Sequence, residues 1–145
     1  MNIFRKTLLA VLVLTIVIPL DLFLLLWGYT TFQLDRAKRE GIYSTVEEGL
    51  LSQIQQNYIN ISRIEILNAG TNSLNGSNPH VGFASAVVCA ERYIDGRPVG
   101  DKYHDCDVPG WFFLLTKDGW VFMPEGAFPE IIGLGMVVFG LTGKP

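Results

Sequence analysis

The predicted fold is α+β: an N-terminal transmembrane helix, then an amphipathic helix packed on a small antiparallel β-sheet. Three observations predict it. Residues 7–27 form a 21-residue apolar run with a single charge, Asp21. A helical apolar stripe follows at Val46, Leu50, Leu51, Ile54 and Tyr58. Strand-like segments separated by Gly, Asn and Asp turns then fill the rest of the chain.

At a rise of about 1.5 Å per residue the first run covers roughly 30 Å, the thickness of a bilayer core. A secretory leader would have an apolar region of about 7–15 residues ending at a small-residue cleavage site. This run is longer, and no A-x-A pattern follows Trp27. The expectation is an uncleaved anchor. Beyond it, "GYTTFQLDRAKRE" continues the helix out of the membrane, with Asp35 and Arg39 at i,i+4 spacing. Gly41 interrupts, and Ser44 with Glu47 reads as a capping box opening the amphipathic helix.

Arg63 to Leu67 is a short predicted strand, and Ala69 to His80 a loop by its Gly, Asn, Ser and Pro content. Val81 to Ile94 reads as a long strand closed by an Asp95-Gly96 turn. Gly110 to Met123 is the clearest hairpin, with Lys117-Asp118-Gly119 at its tip and Gly119 supplying a positive φ. Both faces of Trp111 to Leu115 are apolar, as in a strand covered on each side. The amphipathic helix is expected on one face and a partner protein on the other. The eleven apolar residues Ile131 to Leu141 are too short to span and read as a buried last strand or an exposed docking patch.

The division expected is a short cytoplasmic tail (residues 1–6), a transmembrane helix (7–28), a helical stalk with the amphipathic helix (29–60), and an extracytoplasmic α+β domain (61–145). From residue 28 onward nine lysines and arginines face thirteen acidic residues, a net of −4. That argues against a nucleic-acid partner and against polybasic attachment to anionic lipid. Basic residues flank the span on both sides, so the positive-inside count does not orient it. The cysteines do. There are two, Cys89 and Cys106, both beyond the span, and an even count in a small exported domain predicts a disulfide.

No constellation carries chemistry. "DKYHDCD" (Asp101 to Asp107) with His104, and with His80 elsewhere, is the densest polar cluster. It has neither paired ligand spacing for zinc nor the alternating carboxylates of a calcium loop. No nucleophile elbow, P-loop or dinucleotide fingerprint occurs. The expectation is a non-enzyme without metal or cofactor. Asn60-Ile61-Ser62 and Asn75-Gly76-Ser77 fit glycosylation sequons, which matter only in a eukaryotic secretory setting.

An ionisable residue inside a span is by default a functional site. Asp21 lies six residues, about 9 Å, before the interfacial anchor Trp27. A proton relay would want further ionisable groups along the helix, and there are none. Pro19, which frees the carbonyl of Thr15, and Asp21 are therefore predicted to form an intramembrane helix-packing contact.

The stretch "VLTIVIPLDLFLLLWGYTTFQLDRAKREG" resembles the N-terminal segment of TadE-like pilus-assembly proteins, a group of pilin-like subunits. The shared features are an apolar run, Pro19, a Leu-rich run ending at Gly28, and a helix continuing toward Arg39 to Gly41. The resemblance implies a minor, membrane-anchored assembly or filament subunit. Val13 stands where that family carries its processing glutamate, six residues before the proline, so processing by a peptidase is not implied.

Two functions follow. The first is a single-pass, non-catalytic structural or assembly subunit of a cell-envelope or membrane protein complex. Its partners would be other membrane or envelope subunits, or copies of itself, together with the lipid bilayer. The surface expected to meet them is Ile131, Ile132, Leu134, Met136, Val137, Val138 and Phe139. The alternative is a membrane-tethered extracytoplasmic ligand-binding or sensory domain with a pocket between helix and sheet. Exposure of Ile131 to Leu141 as one contiguous patch would favour the first.

Overall fold

The computed structural model describes residues 3–70, 80–100, 105–124 and 126–144. It opens on one long helical rod: α1 (Ile3–Leu12), a π-turn (Val13–Val17) and α2 (Ile18–Glu40). The π-turn ends two residues before Pro19, and the Ile18 N–H reaches back to the Val13 carbonyl. An i→i+5 turn is one way a helix accommodates a proline within an otherwise continuous rod. Thr15 also donates to the Val11 carbonyl at 2.7 Å.

From Arg5 to Glu40 the rod has 36 residues, and none of its most apolar stretch is buried in the protein. Its second half behaves otherwise. Thr30, Leu34 and Ala37 recur at i, i+4 and i+7 and are buried, so the same helix that fits a membrane becomes a wall of the domain.

The remaining elements are β1 (Ile42–Tyr43), α3 (Val46–Asn57), β2 (Tyr58–Gly70), β3 (Val81–Tyr93), β4 (Cys106–Asp107), β5 (Gly110–Thr116), β6 (Gly119–Phe122) and α4 (Pro129–Val138). The strands form one antiparallel sheet in the order β1-β6-β5-β3-β2, with β4 paired to β3. The α+β architecture is as predicted.

The sheet is covered on both faces. On one, α3 places Val46, Leu50 and Ile54 against Ala84, Ala86, Val88, Phe113 and Trp120. Gly49 lets α3 come close: a Cβ there would stand 2.5 Å from Phe113 Cε1. On the other, α2 and α4 bring Leu34, Ala37, Ile132 and Met136 onto Leu114 and Val121. The chain's own helices thus occupy the face of β5 that the sequence assigned to a partner. An apolar count of 21 residues marks a span but not where the helix carrying it ends.

Several boundaries move. The cap of α3 is Thr45, not Ser44. Thr45 Oγ1 accepts from Glu48 N–H at 3.1 Å, and the Glu48 carboxylate accepts from Ser44 N–H and Oγ at 2.8 and 2.7 Å. These bonds from Ser44 hold the exposed Glu48 carboxyl below its usual range. The helix ends at Asn57, and Tyr58, read as part of its stripe, instead starts a thirteen-residue strand. Ala69 and Gly70, assigned to a loop, belong to that strand. The hairpin is where it was predicted. Thr116 pairs with Gly119 across Lys117-Asp118, and Gly119 takes φ +137° beside the Tyr43 carbonyl.

The largest correction concerns Ile131 to Leu141, read as a buried last strand or an exposed docking patch: it is mostly the helix α4, with Ile132 and Met136 buried and Ile131, Leu134, Val137 and Val138 exposed. Pro129 sits in its first turn. Gly140, at φ +62°, ends it in a Schellman motif: Gly140 N–H bonds the Val137 carbonyl at 3.2 Å, and Leu141 N–H the Met136 carbonyl at 2.8 Å.

Candidate functional site

Two features stand out from the core: the surface where α4 meets the membrane-type helix, and a polar clasp at the far end of the β2–β3 pair.

The first is built on α2. Phe23, Thr30 and Ala37 are spaced by seven residues and share one side of the helix. The Phe23 and Phe139 rings meet edge to face at 4.9 Å. Gly135 packs on Thr30, where a Cβ would fall 1.9 Å from Thr30 Oγ1 and 2.9 Å from Thr30 Cβ. Rotating the hydroxyl would not clear it, so glycine sets the closeness of these helices. At the start of α4 the Phe128 N–H donates to Tyr29 Oη at 3.1 Å. Helix α4 therefore begins beside Tyr29 and ends beside Phe23, which is inside the apolar run.

Of the surface predicted from sequence, Ile132 and Met136 are fully buried and unavailable to a partner. Phe139 is half-buried on Phe23. Ile131, Leu134, Val137 and Val138 remain 44–58% exposed and lie on one face, at i, i+3, i+6 and i+7.

Asp21 is on the opposite side of the rod, two residues or about 200° from Phe23. Its carboxylate is exposed, and among the described residues it has no partner. Pro19 is exposed beside it. Beyond Trp27 the first charges on the helix gather in an open groove. Asp35, Lys38, Lys117 and Asp118 line it, and Lys38 Nζ pairs with Asp118 Oδ2 at 2.6 Å.

The second feature includes the predicted disulfide, which is present between Cys89 and Cys106. These residues are direct cross-strand partners of β3 and β4. Next to it the Asp107 carboxylate accepts from Tyr93 Oη and, at 3.3 Å, from Tyr58 Oη. The two tyrosines are themselves cross-strand partners with ring centroids 4.9 Å apart, and Arg97 lies over the Tyr93 ring at 5.5 Å. Burial, then the hydrogen bond with Tyr93, pushes the Tyr58 hydroxyl above the usual tyrosine range. The bond to Asp107, then burial, raises Tyr93 as well. Both hydroxyls are held as proton donors to a carboxylate, a charge-assisted clasp that fastens β4 to the β2–β3 pair.

Sequence reading missed this clasp, because residues 58, 93 and 107 meet only once the β2–β3 register is set. It also missed Gly135, although two glycines spaced by two in "IIGLGMVV" mark a close backbone approach. Asp101 and His104 lie outside the described residues. Among the described residues no group of three or more His, Cys, Asp or Glu side chains is placed to hold a metal.

Comparison of the chain with protein-family models, with curated proteins and with solved structures finds no match.

Proposed function

We propose that the chain is a single-pass, membrane-anchored subunit of a cell-envelope or membrane protein complex, non-catalytic and pilin-like in build. Its disulfide-bearing domain faces the extracytoplasmic side. The observation that carries this reading is the division of labour along one helix. Its first half offers apolar surface to a bilayer or to neighbouring helices, and its second half is a wall of the folded domain. The domain is built onto its anchor rather than tethered by a loop, which suits a part that must hold a fixed attitude in an assembly. The disulfide supports the outward orientation, since such bonds persist in oxidising compartments.

The resemblance to TadE-like segments agrees with this build. The sensory alternative draws less support, because Leu50, Ile54, Val88 and Phe113 fill the space between helix and sheet where its pocket was expected.

Asp21 supplies the test. A carboxylate facing away from α4 inside an apolar span finds its donor on another chain, either a second subunit or a second copy. Asp21→Leu should leave membrane insertion intact while reducing recovery of co-purifying chains in mild detergent by roughly tenfold, the equivalent of one good interhelical hydrogen bond. Unchanged recovery would remove Asp21 from the interface. A wild-type chain that purifies as a partnerless monomer would remove the proposal itself.

A further inference from the structure

We infer that α4 lies in the lipid of the outer leaflet, with Leu134, Val137 and Val138 against acyl chains, so that the domain rests on the membrane. The inference deepens the anchored reading above and rests on it.

A helix on the surface of a water-soluble domain is polar on its outer face, whereas one apolar all round is buried in protein or in lipid. Helix α4 is of the second kind. Ile132 and Met136 are buried, while Ile131, Leu134, Val137 and Val138 are exposed. Its only charge, Glu130, is in its first turn. With ten residues it cannot cross a bilayer, and lengths of this order fit interfacial or re-entrant segments.

Its depth follows from its contacts on α2. The N-terminal end meets Tyr29 and the C-terminal end meets Phe23, so α4 descends about 9 Å along the rod, counted as six residues. Phe23 is four residues, about 6 Å, on the membrane side of Trp27. The exposed face of α4 thus lies at the level of Leu24 and Trp27 on the rod, which are themselves exposed. The charged groove of Asp35, Lys38, Lys117 and Asp118 begins on the outer side of Trp27, where headgroups would be.

The termination of α4 fits the same setting. A helix end in lipid cannot leave its carbonyls to water. The Schellman bonds of Gly140 and Leu141 satisfy those of Val137 and Met136 at this end. The chain then turns back, and Thr142 bridges to Thr116.

The full chain, reconstituted in phosphatidylcholine vesicles without reductant, provides the test. Nitroxide labels at Leu134→Cys and Val137→Cys are compared with Leu20→Cys in the span and Gln55→Cys on the exposed side of α3. Collision rates with oxygen and with a water-soluble nickel chelate are measured at each. The oxygen-to-nickel ratio at 134 and 137 should be severalfold higher than at 55 and close to that at 20. Water-like ratios at 134 and 137 with a lipid-like ratio at 20 would overturn the inference and leave the anchor standing. A water-like ratio at 20 would overturn the anchor and the inference together. Low collision with both probes at 137 would mean that protein covers the face, and would also overturn it.

Discussion

Phe113→Ala is expected to lower the unfolding free energy of the full chain by about 3–5 kcal/mol, the range for deleting a large buried ring. Phe113 is fully buried at the centre of β5. Its ring meets Tyr43 at 6.4 Å and Phe122 at 6.0 Å, and its edge fills the notch left by Gly49 on α3. The neighbours belong to β1, β6 and α3, so the cavity would open where three elements converge. They cannot collapse into it without shifting the sheet. Against a total stability of about 5–15 kcal/mol for an ordinary domain, such a loss takes much of the margin. Urea unfolding in a mild detergent measures it, with Phe128→Ala as the reference. That side chain is 60% exposed, and its loss should stay within about 0.5 kcal/mol. Equal effects at the two positions would show that the core is not organised around Phe113.

The second large effect belongs to the disulfide. Replacing both Cys89 and Cys106 by serine should cost about 3 kcal/mol on the chain-entropy account, with a fall in melting temperature on the order of 10 °C. The two residues are 17 apart in sequence, and the described residues between them pair among themselves through the Arg92–Pro98 bridge and the bond from Tyr93 N–H to the Arg97 carbonyl. The bond therefore does for β4 what a longer ladder would do elsewhere. The Tyr58–Tyr93–Asp107 clasp lies beside it and cannot substitute for it, because Asp107 reaches the tyrosines only while β4 is in register. Thermal unfolding with and without reductant reads the same quantity in the wild-type chain. A melting temperature unmoved by reductant would contradict this role.

What could be read beforehand depended on whether a local rule applied. The β5–β6 hairpin was legible because Asp118-Gly119 sits between two aromatic strands, a signal complete within fourteen residues. The cysteine pairing was legible because two cysteines allow one pairing. Helix α4 was not, because an apolar run without polar interruptions has no period to distinguish helix from strand. The usable signals were at its ends, in Pro129 and Gly140. Tyr58 misleads for a related reason: it continues the i,i+4 spacing from Ile54 although the chain has already turned into β2. The two-faced character of β5 was read from Trp111 to Leu115. Which elements cover the second face depends on the tertiary packing of α4 and of the later part of α2, where Leu34 and Ala37 lie 27 and 30 residues beyond the start of the apolar run.

In the proposed membrane subunit the apolar rod stays attached and anchors the domain. Intact mass spectrometry of the protein recovered from carbonate-washed membranes tests it most directly. The expected result is a membrane-bound species that retains residues 7–27, with Cys89 and Cys106 oxidised. A soluble species lacking that segment would contradict it.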